Sequence, residues 1–380
     1  MSTRRNAGIA TLALALAAGA CSSSDDGATV RDLGAEEAEA EGSTSASASS
    51  SGSASAPAST GETTLGAADG GYEYASNVDA HRMVVADLCP IGDLLDAGEF
   101  DSVATIYTEG GSSVNSDGSV RTIAGFATAT ERGHGLAEFY GTDTPLDDFI
   151  TDAFDGTGVF EGLGDGARSQ GVEKGMRNQV MVAWLVHELE AALTKAADGN
   201  FDIDEGAVHN WDEGWAFYHG VEPGCAPYAT GNSRAGNFGT LAADGETAQA
   251  NEAIEAAMIE GRDALLAEDA EGAQAATDEV MRNLVVIYSQ ATIRYASVVE
   301  GDLADGDDAA AEAHQAEGLA FFRVIEAYVA DAGADVDAIN AVYNLAAGPG
   351  ANGFGDEVRA ALEPAWASLG IDAADIGELQ

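Results

Sequence analysis

Two stretches of this chain are copies of one another, and the duplication limits the folds open to it. MRNQVMVAWLVHELEAAL and WDEGWAFYHG, within Met176 to Gly220, are echoed by MRNLVVIYSQATIRYASV and QAEGLAFFRV, within Met281 to Val324. The Met-Arg-Asn triplets stand about 105 positions apart and the Glu-Gly-x-Ala-Phe cores about 104, so a single loop residue separates the two registers. Self-similarity at that spacing is the mark of a duplicated supersecondary unit whose copies pack on each other.

Apolar residues recur at three-four spacing over 78–97, 100–109, 121–140, 172–197, 208–220, 247–268, 271–300, 306–331, 335–346 and 355–369. Such spacing places them on one face of a helix. Gly, Pro and Asp-Gly breaks separate the stretches, and strand-like alternation is scarce. The expected fold is therefore all-α, a duplicated helical bundle. A Gly/Asp-rich break near 230–246 divides it into unit 1 at 71–240 and unit 2 at 241–380. The Gly-rich runs 155–171 and 221–240 read as extended loops, and long loops in compact domains tend to carry function.

The N-terminus reads as an address. Arg4 and Arg5 precede the apolar run IATLALALAAGA, too short to span a bilayer, which ends at Ala18-Gly19-Ala20-Cys21. This is the form of an export signal over 1–20 with lipidation at Cys21, cleavage without a lipid being the alternative. Residues 21–70 form a Ser/Ala/Gly/acidic tether with too little apolar surface to fold. Loss of the signal leaves 14 basic residues against 65 acidic ones, a formal charge of −51. That excludes nucleic acid as a partner. The acids are spread along the whole chain, as in a protein kept soluble in high salt; a cation-collecting surface is the other reading. In an oxidising compartment Cys89 and Cys225 stand either as a disulfide or as two buried thiols.

Glu213 and Glu317 occupy equivalent places in the two copies, each followed by Gly and then by x-Ala-Phe. Glycine permits close helix approach, so both carboxylates are expected to converge between the copies; helix N-terminal charge is the structural alternative. Elsewhere the copies differ. His187 answers to Thr292, Glu190 to Tyr295 and His219 to Arg323. His187 and Glu190 lie one turn apart on one predicted helix, and Tyr288 and Tyr295 form a stripe on the other. Carboxylates and phenols suit a hard cation such as Fe(III), and Arg294 or Arg323 would hold an anion beside it. No nucleophile motif or paired acid spacing is present, so an enzyme is not expected.

These residues sit in segments that resemble a known family. IYTEGGSSVNSDGSVRTIAGFA (106–127), WDEGWAFYHG (211–220), YATGNSRAGNFGT (228–240), YSQATIRYA (288–296) and AEGLAFFRVIEAYVA (316–330) run in the order found in the low-iron-inducible periplasmic proteins of algae, relatives of the phytotransferrins. The resemblance implies an extracytoplasmic protein that binds ferric iron with carbonate and passes it to a membrane iron transporter. Glu213, Glu317, Tyr288, Tyr295 and Arg294 lie inside its motifs. The His-x-x-Glu of Leu185 to Glu190 also resembles that of imelysin-like helical bundles. A non-metal helical scaffold of the cell surface is the competing expectation.

Overall fold

Helix boundaries in the computed structural model follow local chemistry. It describes residues 66, 68–129 and 135–380. Asp269, Asp307 and Asp335 each accept a hydrogen bond from a first-turn backbone N–H, which satisfies donors that an α-helix leaves orphaned at its start. At the other end, Gly306 with φ near 76° closes the longest helix in the left-handed conformation glycine tolerates.

In chain order a two-stranded hairpin, β1 (Ala68–Asp69) and β2 (Tyr72–Glu73), is followed by α1 (Asp79–Val84), α2 (Ile91–Asp96), α3 (Phe100–Glu109), α4 (Ile123–Ala127), α5 (Leu136–Tyr140) and α6 (Pro145–Asp155). Next come α7 (Asp165–Lys174), a π-helical turn (Gly175–Val180), α8 (Met181–Ala197), α9 (Ala207–Tyr218) and α10 (Pro227–Phe238). The chain then forms α11 (Gln249–Leu266), α12 (Ala270–Asp305), α13 (Asp308–Ala332), α14 (Val336–Val342), α15 (Gly355–Leu369) and α16 (Ala373–Ile376). The fold is all-α, as expected from the periodicity.

The copied segments fall on two packed helix pairs, α8 with α9 and α12 with α13. Their settings differ. Met176 stands in the π-helical turn, whereas Met281 lies inside the uninterrupted α12. Nor does the packing separate at residue 240. One hydrophobic cluster joins Tyr72, Leu185 and Trp215 to Leu284, Phe322 and Trp366, and a second joins Trp184 and Phe217 to Ala316 and Leu345. The pair α8–α9 thus faces both clusters.

Two of the expected loops hold helices. Asp165–Lys174 is α7 and Pro227–Phe238 is α10, although both are Gly-rich; α7 lacks an apolar stripe, and that of α10 is built of small residues, Gly231 and Ala235, between Pro227 and Phe238. Tertiary contacts override weak local propensity here: α7 packs on α13 and α10 on α12. Conversely, the predicted helix 78–97 is broken by a 3-10 turn at Val85–Leu88 and by Pro90. Cys89 and Cys225 form a disulfide, Cα to Cα 5.1 Å, which pins the end of that turn to the loop after α9. The signal, Cys21 and almost all of the tether lie outside the described residues.

Candidate functional site

Helix α9 is buried on all sides, every residue of it but His209 being shielded from solvent, and it carries Asn210, Asp212 and Glu213 inward. A carboxylate in such a helix must find partners or lose its charge. Asp212 finds them in the N-terminal segment. Its Oδ2 accepts from Ser76 N at 2.7 Å, Ser76 Oγ at 2.7 Å and Ala75 N at 3.0 Å, and its Oδ1 accepts from the Tyr72 hydroxyl. Asp69 adds a clamp, taking Arg82 Nε and Nη2 at 2.8 Å each while its carbonyl accepts from Trp215 Nε1 at 3.0 Å. Together these bonds hold the hairpin and α1 against α9.

Glu213, one residue on, faces two imidazoles. His81 Nδ1 of α1 lies 3.0 Å from its Oε1, and His209 Nε2, one turn back on α9, lies 3.1 Å from the same atom. Asn210 Nδ2 reaches Oε2 at 3.5 Å and also donates to Glu188. Ser76 fixes the ring of His209: the serine proton is committed to Asp212, so Ser76 Oγ accepts, and His209 Nδ1 at 3.1 Å must donate. When His209 is neutral, its Nε2 therefore presents a lone pair toward Glu213.

The charges follow. Burial alone would raise Glu213, but the His81 and His209 imidazoles outweigh it and hold the carboxyl well below its usual range. Burial lowers His81 against the pull of Glu213, so this ring stays neutral. For His209 burial acts downward too, yet its hydrogen bond to Glu213 and the charges of Glu213 and Asp212 win and raise it. Among the described residues no three His, Cys, Asp or Glu side chains are placed so that they could hold a metal ion, and this includes His81, His209 and Glu213 as they stand, paired with one another.

Glu317 lies in a different cluster. Lys174 Nζ bridges Glu173 Oε2 at 2.7 Å and Glu317 Oε1 at 3.3 Å, and Arg177 Nη1 holds Glu173 Oε1 at 2.9 Å. Burial raises the Tyr295 phenol and the facing Glu317 carboxylate adds to the rise. Arg234 and Arg294 stand 5.3 and 5.6 Å from the Tyr295 ring. The two equivalent glutamates thus have separate partners instead of one shared site.

Of the other candidates, Tyr288 is buried and gives its hydroxyl proton to Asn178 Oδ1 at 2.9 Å, while burial raises it well above the usual phenol value. His187 packs its ring 5.0 Å from Trp184, and Glu190 is exposed on the outer side of α8. Arg323 lies apart from all of these, wedged over Tyr140 and Phe149 at 4.1 and 4.6 Å and donating to Pro145 O at 3.0 Å, on the wall of a pocket of about 470 Å³. The glycines after the glutamates serve packing. A Cβ at Gly318 would collide with the Tyr343 ring, and one at Gly214 would crowd Leu185.

Sequence reasoning missed His81, His209, Glu173, Lys174, Arg177 and Arg234. His209 was within reach, since His-x-x-x-Glu puts two donors on one helix face. His81 had no local signal, and three of the others fall where loops were expected or at a helix edge.

Fold and clusters define an all-helical protein with two buried charged centres, one built on imidazole and one on guanidinium. The chain belongs to the low iron-inducible periplasmic protein family, Fea1, whose model matches residues 45–380. Membership gives it an extracytoplasmic, iron-related setting. Among the described residues no helix is long and apolar enough to cross a membrane. No curated protein and no solved structure matches the chain.

Proposed function

We propose that this protein captures ferric iron outside the cytoplasmic membrane and holds it at His81, His209 and Glu213. The observation that carries the reading is the convergence of two imidazole nitrogens on one charged carboxylate oxygen at 3.0 and 3.1 Å, beneath the one residue of α9 with access to solvent. Electrostatics favour this cluster over the one around Tyr295 and Glu317. Lys174, Arg234 and Arg294 stand around Tyr295 there, and a trivalent cation would meet repulsion. At Glu213 the ion-pair partners are imidazoles, which become neutral donors on losing a proton.

Two histidines and one carboxylate leave coordination positions for water or for carbonate, the anion that the family resemblance adds. Loading would open the closed trio, with the cation replacing the His209 proton. The protein would act as a carrier and not as a catalyst, tethered by a lipid on Cys21 and handing its cargo to a membrane iron transporter. The closed trio itself favours a second reading, a non-metal scaffold in which these bonds only pin α1 to α9.

Aerobically purified protein should retain iron and gain thermal stability from ferric citrate plus bicarbonate, and Glu213→Gln and His209→Ala should lose both. Metal-free protein with no thermal shift would leave the scaffold reading.

A further inference from the structure

The guanidinium cluster poses its own problem, independent of iron. Arg234 Nε and Nη1, Arg294 Nε and Arg177 Nε are shielded from solvent and make no hydrogen bond. A buried donor without an acceptor costs roughly 1–3 kcal/mol, more when charged; three of these four belong to Arg234 and Arg294, which share the Tyr295 ring, and the fourth reaches the same cluster through the Arg177–Glu173–Lys174–Glu317 chain of ion pairs. A fifth lies alongside. Asn178 is fully buried; its Oδ1 accepts from Thr230 Oγ1 and from the Tyr288 hydroxyl at 2.9 Å each, while its Nδ2 has no acceptor.

Three elements build this wall. The π-helical turn supplies Arg177 and Asn178, α10 supplies Thr230 and, one turn on, Arg234, and α12 supplies Tyr288, Arg294 and Tyr295. Lys174 joins them from the end of α7 through Glu173 and Glu317, its Nζ 6.0 Å from the centre of the Phe321 ring on which Tyr295 stacks at 5.5 Å. Local π-helical geometry of this kind is frequent at functional sites. The chain has 16 Lys and Arg residues against 65 Asp and Glu, yet four of the 16 gather here. Glu173 and Glu317 neutralise two of them, and the nearby His314–Asp302 pair is closed on itself at 2.6 Å. Among the described residues no carboxylate is paired with Arg234 or Arg294, which leaves two positive charges over.

We propose that Arg177, Arg234, Arg294 and Asn178 form a binding site for a compact tetrahedral dianion of the phosphate class. Its two negative charges match the surplus, and its several oxygens suit donors arriving from three directions. Phosphate and sulfate share this chemistry. A planar bicarbonate, singly charged near neutral pH, does not match it in shape or charge.

The test is titration calorimetry and thermal unfolding of iron-free protein with sodium phosphate, sulfate, bicarbonate and chloride at equal ionic strength. Phosphate, sulfate or both should bind at one site and raise the melting temperature above that in chloride. Arg234→Gln should weaken binding by roughly tenfold or more, as expected for lost charge-assisted hydrogen bonds. If that variant does not fold, Arg234→Lys, which keeps the charge and loses the fork, should still bind severalfold more weakly. His209→Ala should bind as the parent does. Parent-like affinity in the folded Arg234 variant, no effect beyond chloride, or binding of bicarbonate alone would overturn the assignment.

Discussion

Glu213 and Glu317 stand in similar sequence segments, each before Gly-x-Ala-Phe, yet sit in unlike surroundings. Glu213 is flanked by the imidazoles of His81 and His209, Glu317 by the ammonium of Lys174 and the phenol of Tyr295. The shared Glu-Gly frame places a buried carboxylate beside a packed helix pair in both cases, and the neighbours decide what each can bind. Imidazoles can give up their protons to a metal, whereas guanidinium groups cannot. This difference is why we assign the cation to one cluster and the anion to the other.

The comparison is broken hardest by removing a carboxylate. Glu213→Ala leaves the buried His81 and the half-buried His209 without their anion, and Glu317→Ala strips Lys174 of one of its two partners. Loss of one member of a buried pair costs up to about 3–5 kcal/mol, and urea unfolding should show the larger loss in the first variant, where two hydrogen-bonding partners lose their shared acceptor at once. The second should lose less, because Glu173 still holds Lys174 at 2.7 Å. Equal losses would mean that the two clusters are energetically alike after all.

Cys89→Ser should cost about 2–5 kcal/mol, since the bridge spans 136 positions and constrains the unfolded chain. It should also weaken the proposed iron site, because the bridge anchors the segment that follows α1; a melting curve unchanged by reductant would contradict this. A smaller effect is expected from Ser76→Ala. That change removes the acceptor that orients His209 and should cost about 1 kcal/mol of stability, together with a 10–100-fold loss of metal affinity if the ring position matters as for a metal-ligating histidine.

Acidity separates the two histidines by sign. His209 is raised in the folded protein, so as pH falls from its folded value toward about 6.5 the folded state takes up the proton first and gains stability. His81 is lowered, so below about 6.5 the unfolded state takes up the proton first and stability declines. Iron affinity should fall throughout, because the cation competes with the His209 proton. Thermal unfolding of metal-free protein should accordingly pass through a maximum near neutral pH while iron binding only weakens with acid.

How much of this was legible in the sequence depends on where each residue sits. The long helices α8, α9, α11, α12, α13 and α15 follow from apolar periodicity, which also gave the fold class. Glu213 and Glu317 stood out because the repeat kept them. The idea that they meet did not hold, since helix packing sets which faces oppose each other and the repeat says nothing about it. His81 reaches Glu213 only because Asp69, Asp212 and the disulfide hold the N-terminal segment on α9. Lys174 and Arg234 lie on helices whose own sequences are poor helix formers and which exist through contacts with α13 and α12. Long-range packing, invisible to any local pattern, made the difference in both clusters.

In the proposed carrier, iron sits on imidazole and not on phenol. Pulsed electron paramagnetic resonance of ferric-loaded protein reads the nitrogens around the metal directly. The account predicts imidazole nitrogen couplings that diminish in His209→Ala, with no tyrosinate charge-transfer band in the visible spectrum. A coloured protein with oxygen-only coordination, lost in Tyr295→Phe and retained in Glu213→Gln, would contradict it.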